Sequence, residues 1–176
     1  MIEETGIIRD VLEGDIESFR LLVQRYQKPV IRMIANLIND RHICEDIAQE
    51  VFLAAYKKLP SFDPDRSSFS TWLFTIARNK SINAMKKKRI PSIGNPPENP
   101  DFSDPGDSLI RDELFVKLER ALNSLSPGHK RILVMAEFEN LPYEQIAQIE
   151  GIRIGTVKSR INRAKHRLKS ALGDIQ

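Results

Sequence analysis

Between Ile90 and Asp107 the chain cannot build regular structure. Five of its ten prolines fall there (Pro91, Pro96, Pro97, Pro100 and Pro105), together with Gly94 and Gly106. Each proline removes an amide donor and fixes φ, so neither a helix interior nor a central strand fits. Glu98, Asp101, Asp104 and Asp107 add like charge. A segment of this kind buries too little apolar surface to offset the entropy of ordering it, and reads as an extended linker, poorly ordered when free. The 176 residues therefore divide into a first domain at 1–90, an acidic linker at 91–107 and a second domain at 108–176. Each domain needs its own core, and 41% hydrophobic content supplies enough for two small ones.

Strand signals are nearly absent on either side, and helical periodicity is everywhere. A short helix is expected from Glu3 to Glu13, stopped near Gly14. Asp15 can cap a second one running to about Ile38, with Phe19, Leu22, Val23, Tyr26 and Val30 on its core face. Pro29 lies inside that run and should kink or break it. A third helix spans Arg41 to Leu59. Ile43, Ile47, Val51 and Ala54 form its inner side, and Asp46, Gln49, Glu50, Leu53 and Lys57 group on another face. Pro60 and Pro64 bracket a loop, Ser68 or Ser70 caps the next helix, and Pro91 ends it. Beyond the linker, Leu114, Leu118, Ala121, Leu122 and Leu125 share one helical face. Ser126-Pro127 then reads as a cap with a first-turn proline, ahead of the core positions Ile132, Leu133 and Ala136. The expected fold is all-α: two small helical domains joined by a flexible linker.

Net charge is only +3, but it is unevenly spread. Residues 66–97 carry seven Lys or Arg and no acid, and so do residues 152–172. These two patches lie on an otherwise acidic protein, which suggests two nucleic-acid contacts and a separate partner for the acidic surface. In the first patch, Phe69, Trp72 and Phe74 precede the cluster Lys86, Lys87, Lys88 and Arg89. Rings beside a basic run suit a single strand, whose bases stack while its phosphates follow the charge. At ~100° per residue, Trp72, Thr75, Asn79, Asn83 and Lys86 fall within about 80° of arc. That stripe holds one aromatic, a hydroxyl, two amides and a cation, and the amides can read base edges. For Phe62 and Phe69, at the two ends of the preceding loop, core packing and base stacking are both open.

The second patch lies in PYEQIAQIEGIRIGTVKSRINRAKHRLKSAL, which has the form of a helix-turn-helix. Ala147 is small where the second helix must approach, and Gly151 suits the turn. Thr156 is placed to cap the recognition helix. Val157, Ile161, Ala164, Leu168 and Ala171 make its apolar face, opposite Thr156, Ser159, Asn162, Arg163 and His166. A basic amphipathic helix alone would also suit a membrane surface; the preceding helix and the glycine turn favour duplex DNA.

Other classes find little support. Cys44 is the only cysteine, so no internal disulfide can form and a cytoplasmic home is expected. His42 and Cys44 lie close together but lack third and fourth ligands, so no metal and no other cofactor is expected. The acidic start MIEETG is unlike a signal region, and Arg32 and Asn36 interrupt the longest apolar stretch, so no membrane insertion is expected. No nucleophilic triad, acid–base carboxylate pair or phosphate-cradling loop occurs in context, which argues against an enzyme.

Three segments carry a resemblance to one family. WLFTIARNKSINAMKKKR preceded by FDPDRSSFS, DIAQEVFLAAYKKL, and GTVKSRINRAKHRLK each resemble parts of bacterial sigma factors of the extracytoplasmic-function (ECF) group. The resemblance covers almost the whole chain and implies a sigma-2-like helical bundle and a sigma-4-like helix-turn-helix domain. It implies promoter-specific initiation, with core RNA polymerase (its β′ coiled coil and β flap), promoter DNA and an anti-sigma factor as partners. Asp46, Gln49, Glu50 and Phe52 become the contacts to core polymerase. Phe62, Phe69, Trp72, Asn79, Asn83, Lys86 and Lys87 become contacts to the −10 element. Arg153, Gly155, Thr156, Lys158, Ser159, Asn162 and Arg163 become contacts to the −35 element. The sequence departs from the family pattern at Asn83, where Asp is usual, and at Pro142, where Ser commonly opens the first helix of the DNA-binding pair. The alternative is a helix-turn-helix regulator that acts without polymerase, which leaves residues 41–89 without a task.

Overall fold

The computed structural model describes residues 4–173 except 36, 39, 89–116 and 119. The expected linker lies outside the described residues. Among the described residues all regular structure is helical, and the chain forms two compact units, Met1–Asn99 and Pro100–Gln176.

In the first unit, α1 (Glu4–Leu12) and α2 (Ile16–Ala35) meet at a tight turn in which Gly14 takes φ +109°. Asp15 opens α2: its carboxylate accepts from the Glu17 amide at 3.1 Å and the Ser18 hydroxyl at 2.7 Å. Of the two expected outcomes a break is absent: α2 runs through Pro29 as one helix. Proline there forfeits one backbone hydrogen bond, yet Val30, Met33 and Ile34 beyond it are all fully buried. Packing on both sides of the proline outweighs the local loss. Helix α3 (Arg41–Lys58) is capped by Asp40, whose side chain accepts from the Ile43 amide at 3.1 Å. A 3-10 turn (Leu59–Ser61) follows, then the loop to α4 (Phe69–Lys88). Ser68 starts α4 by accepting from the Thr71 amide at 3.2 Å.

Helices α2, α3 and α4 pack on one another around Leu22, Val30, Val51, Ala55, Leu73 and Ala77. α1 lies against α2. It is tied there by Tyr26, whose hydroxyl donates to Glu4 Oε1 at 2.5 Å. Burial first, then that hydrogen bond, holds the phenol protonated well above its ordinary range. Cys44 is buried and its thiol meets the Ile38 carbonyl at 3.1 Å, while His42 is exposed.

In the second unit, residues 117–118 and 120–123 are helical, with Ala121, Leu122 and Leu125 buried. Helix α5 (Pro127–Glu137) follows, with Pro127 in its first turn. Ser126 is its extended N-cap residue, but the hydroxyl pairs with His129 Nδ1 at 2.6 Å instead of capping an amide. α6 (Tyr143–Glu150) opens at Pro142 without a side-chain cap. It ends at Gly151, whose φ of 65° and ψ of 36° is the left-handed conformation that side chains with a Cβ resist. The Ile152 amide returns to the Ala147 carbonyl at 3.0 Å, so α6 is closed off before the chain turns into α7 (Ile154–Leu172). The N-cap of α7 is Arg153, and the Thr156 amide already bonds the Arg153 carbonyl at 2.8 Å. Thr156 thus lies inside the first turn and does not cap the helix: the extended residue after the glycine turn is Arg153, and the helix starts from there.

α5, α6 and α7 enclose Ile132, Met135, Ile146, Ile149, Val157 and Ile161. An ion pair lies in this core: Arg131 Nε and Nη2 reach the two oxygens of Glu150 at 2.6 and 2.7 Å, with side chains 9% and 2% exposed. Glu150 is the last residue of α6, where the helix dipole disfavours an acid; the forked guanidinium offsets that. Removing Glu150 takes away the carboxylate that Arg131 pairs with in the core. Glu150→Leu should therefore cost roughly 3–5 kcal/mol, whereas Arg131→Met with Glu150→Leu should return close to wild type. Denaturant unfolding of the four proteins of this cycle checks it; a Glu150→Leu protein as stable as wild type rejects it.

Candidate functional site

Three surfaces gather the residues that the sequence singles out, two in the first unit and one in the second. The first is on α3. Asp46, Gln49, Glu50 and Lys57 all face solvent, as does Leu53, which is 60% exposed. The helical repeat and the packing of Ile47 and Val51 inward fix this face. Phe52 does not share it. Its ring is buried at 9% exposure and forms part of the floor of a cleft between α2 and α3 of about 590 Å³. The apolar groups that reach solvent along this cleft are instead Ile16, Leu53 and Tyr56. Tyr56 is braced edge-on against Phe19 at 5.2 Å. Leu53 was visible in sequence as the one leucine on a polar face; the part played by Ile16 is a tertiary fact. Glu50 is bound across to α4, where Lys80 Nζ lies 2.7 Å from Oε2. The Lys80 hydrogen bond, then its charge, holds the Glu50 carboxyl below the usual range.

The second surface begins with an aromatic cluster. Phe69 is 1% exposed and lies centrally, its ring centroid 5.6 Å from Tyr26, 5.7 Å from Phe62 and 5.6 Å from Trp72. Phe62 and Trp72 are themselves 5.2 Å apart and half-buried. Phe69 is therefore enclosed by its neighbours and supports Phe62 and Trp72, which keep part of their surface open to solvent. The reason is local: as the first residue of α4 it points back into the α2 interface, whereas Trp72 lies round the helix toward the rim. From Trp72 the expected stripe runs down α4. Asn79, Asn83, Lys86 and Lys87 are exposed, while Leu73, Phe74 and Ala77 on the far side are buried. The Arg78 guanidinium donates to Asn79 Oδ1 at 3.1 Å, which leaves the Asn79 amide NH2 facing outward as a donor.

The third surface is the outer face of α7. Val157, Ile161 and Ala164 are buried against α5 and α6, which turns Lys158, Ser159, Asn162 and Arg163 to solvent. Arg153 and Gly155 are exposed at the start of the helix, and Thr156 is half-buried there. A Cβ placed on Gly155 would meet nothing within 4 Å, so a partner's backbone can come close at this point. Glu137 pairs with Lys165 at 2.8 Å at the edge of this face. His129 on α5 is disfavoured as a cation, first by burial and then by Arg160, Arg167 and Arg163 of α7. This marks how strongly positive that side of the helix is.

An aromatic-headed stripe in one unit and a helix-turn-helix in the other suit a single strand and a duplex respectively. Comparison with known proteins matches a family model in each unit. Residues 22–90 match the family model for sigma-70 region 2, and residues 115–168 the model for sigma-70 region 4. The RNA polymerase sigma-H factor of Pseudomonas aeruginosa is 32% identical over 97% of this chain and 94% of its own length. The ECF sigma factor SigW of Bacillus subtilis is 30% identical over 96% of each. Among solved structures, the sigma factor RpoE of Bartonella quintana, determined in complex with the anti-sigma factor NepR, matches with a TM-score of 0.73 and 26% identity. That match covers 92% of this chain and all of that one. With both regions present in order and relatives matched over nearly their whole length, the chain belongs to the ECF group of the sigma-70 family and is an RNA polymerase sigma factor.

Proposed function

We propose that the three surfaces divide the work of initiation. The exposed α3 face (Asp46, Gln49, Glu50), with the apolar rim of Leu53 and Tyr56, docks the β′ coiled coil of core polymerase. The loop from Ser61 and the α4 stripe capture the non-template strand of an opened −10 element. Helix α7 reads the −35 duplex in the major groove. The second unit also meets the β flap. The observation that carries this reading is the pair of acid-free, Lys/Arg-rich segments in separate units, one headed by half-exposed rings and one built on a helix-turn-helix. A regulator acting through the second unit alone would have no use for the first. The protein supplies no catalytic group, since bond formation belongs to polymerase. The domain limits 1–90, 91–107 and 108–176 go with this division. The Bartonella relative, solved with its anti-sigma factor, supports a partner of that kind that restrains this protein until a signal arrives.

Asp46 and Glu50 set the sign of the docking partner: it must be basic and carry apolar groups for the cleft. Charge reversal, Asp46→Lys with Glu50→Lys, should weaken core binding at least tenfold and leave helicity unchanged. A pull-down with core polymerase beside circular dichroism checks this, and undiminished binding rejects the docking face.

On α7, losing a base-reading Arg163 by substitution to Ala should cost roughly 1–3 kcal/mol and relax preference at one −35 position. Loss of a phosphate contact would weaken every promoter alike. A panel of single-base −35 variants separates the two outcomes, and uniform weakening removes Arg163 from the readers.

On α4, turning a base out of the stack costs a few kcal/mol, which stacking on Phe62 and Trp72 and hydrogen bonds from the stripe must return. Asn79→Ala should abolish preference for one −10 base on ordinary and pre-melted promoters, read by permanganate reactivity. Unaltered preference on the pre-melted template places the reader elsewhere.

A further inference from the structure

Lys80 has no part in the three surfaces as drawn, yet it borders two of them. On α4 it lies about 60° round from Asn83 and about 20° from Lys87, counting ~100° per residue. It is thus on the α3 side of the stripe. Its Nζ donates to Glu50 Oε2 at 2.7 Å across the α3–α4 contact. Glu50 is 59% exposed and belongs to the docking face. Its carboxylate is stabilised by Lys80 first and also feels the charge of Lys87. One carboxylate therefore stands on the boundary between the face offered to polymerase and the edge offered to DNA.

A lysine held by a carboxylate presents little net charge to a phosphate. In the isolated protein, Glu50 removes a cation from the edge of the strand-binding helix. The docking face is acidic, so whatever covers it brings cations of its own. A basic group from the partner that pairs with Glu50 leaves Lys80 free on the DNA side. The ion pair is solvent-exposed, and such pairs are weak, with a median near 0–1 kcal/mol. Exchange of partners is therefore easy, unlike the rupture of a buried pair.

We infer that Lys80 is a further contact to non-template-strand phosphate, masked by Glu50 in the free protein and released when core polymerase takes that carboxylate. The inference rests on the docking and strand-capture reading above. It couples them: engagement of polymerase adds a cation to the surface that will hold the opened strand, so free protein binds single strands less well than its sequence charge suggests. The switch is graded, worth a few-fold in affinity.

Salt dependence counts the cations used, with a slope of about 0.7 per neutralised phosphate on a single strand. Two settings are compared at low ionic strength: free protein with dye-labelled oligo(dT), and holoenzyme with a promoter whose −10 region is pre-melted. Lys80→Met should reduce the holoenzyme slope by about 0.7 and weaken binding several-fold, and Lys80→Arg should restore both. In free protein Lys80→Met should leave the oligo(dT) slope unchanged. Glu50→Gln should tighten oligo(dT) binding by free protein about two- to fivefold, as expected for loss of a weak exposed pair, and the gain should vanish when Lys80→Met is added. Equal slope changes in both settings, no change in either, or a Glu50→Gln gain that survives Lys80→Met would each overturn the masking. A failure of the docking reading shows separately, as undiminished core binding by the Asp46→Lys, Glu50→Lys protein.

Discussion

The first unit depends on one buried ring. Phe69 is the first residue of α4, and its 1% exposure fixes where that helix starts, how it meets α2 and which of its faces turns outward. Tyr26 packs on one side of it; Phe62 and Trp72 pack on the other. Aromatic contacts of this kind add directional preference to area burial. The ring therefore joins the packed interior to the half-buried Phe62 and Trp72. Tyr26 is in turn bound to Glu4, so the short leading helix, outside the region matched at 22–90, takes part in holding the cluster in place.

The second unit reaches a comparable end by other means. Its central constraint is the left-handed Gly151, which sets the angle between α6 and α7. The Arg131–Glu150 pair is anchored one residue before it. A buried pair of this kind contributes little net stability over an apolar alternative, but it penalises any packing that would separate the two charges. Together the turn and the pair hold α7 so that its apolar side is covered and its basic side is free.

How much of this could be read from the chain follows from the range of the interactions involved. The helix-turn-helix was legible because its signals are local: a 3.6-residue apolar period in α7, a small residue at Ala147 and a glycine at the turn. The polar stripe of α4 was legible for the same reason, and Asn79, Asn83 and Lys86 are all exposed as its geometry requires. What could not be read were choices made by tertiary packing. Pro29 forbids one hydrogen bond, but whether a helix survives that depends on what lies on both sides of it. Phe52 and Leu53 are adjacent apolar residues on one helix, and only the position of α2 decides that the first goes inside and the second does not. Phe69 stood open between stacking and core for lack of its partner Tyr26, 43 positions earlier. The Arg131–Glu150 and Lys80–Glu50 pairs join residues 19 and 30 positions apart, beyond any local pattern. Thr156 was misplaced by three residues as a cap because the extended segment after Gly151 is shorter than a serine-or-threonine cap would need.

The aromatic cluster also makes this protein its own spectroscopic probe. The chain contains one tryptophan, and it is Trp72, half-buried with Phe62 beside it at the head of the α4 stripe. Its ultraviolet emission comes from a single place, with no background from a second indole in either unit. Solvent, a neighbouring ring or a stacked nucleobase would each give that indole a different intensity and wavelength. The proposed arrival of a strand at this point would thus be followed in real time on unlabelled protein, free of any dye that would itself compete for the rings.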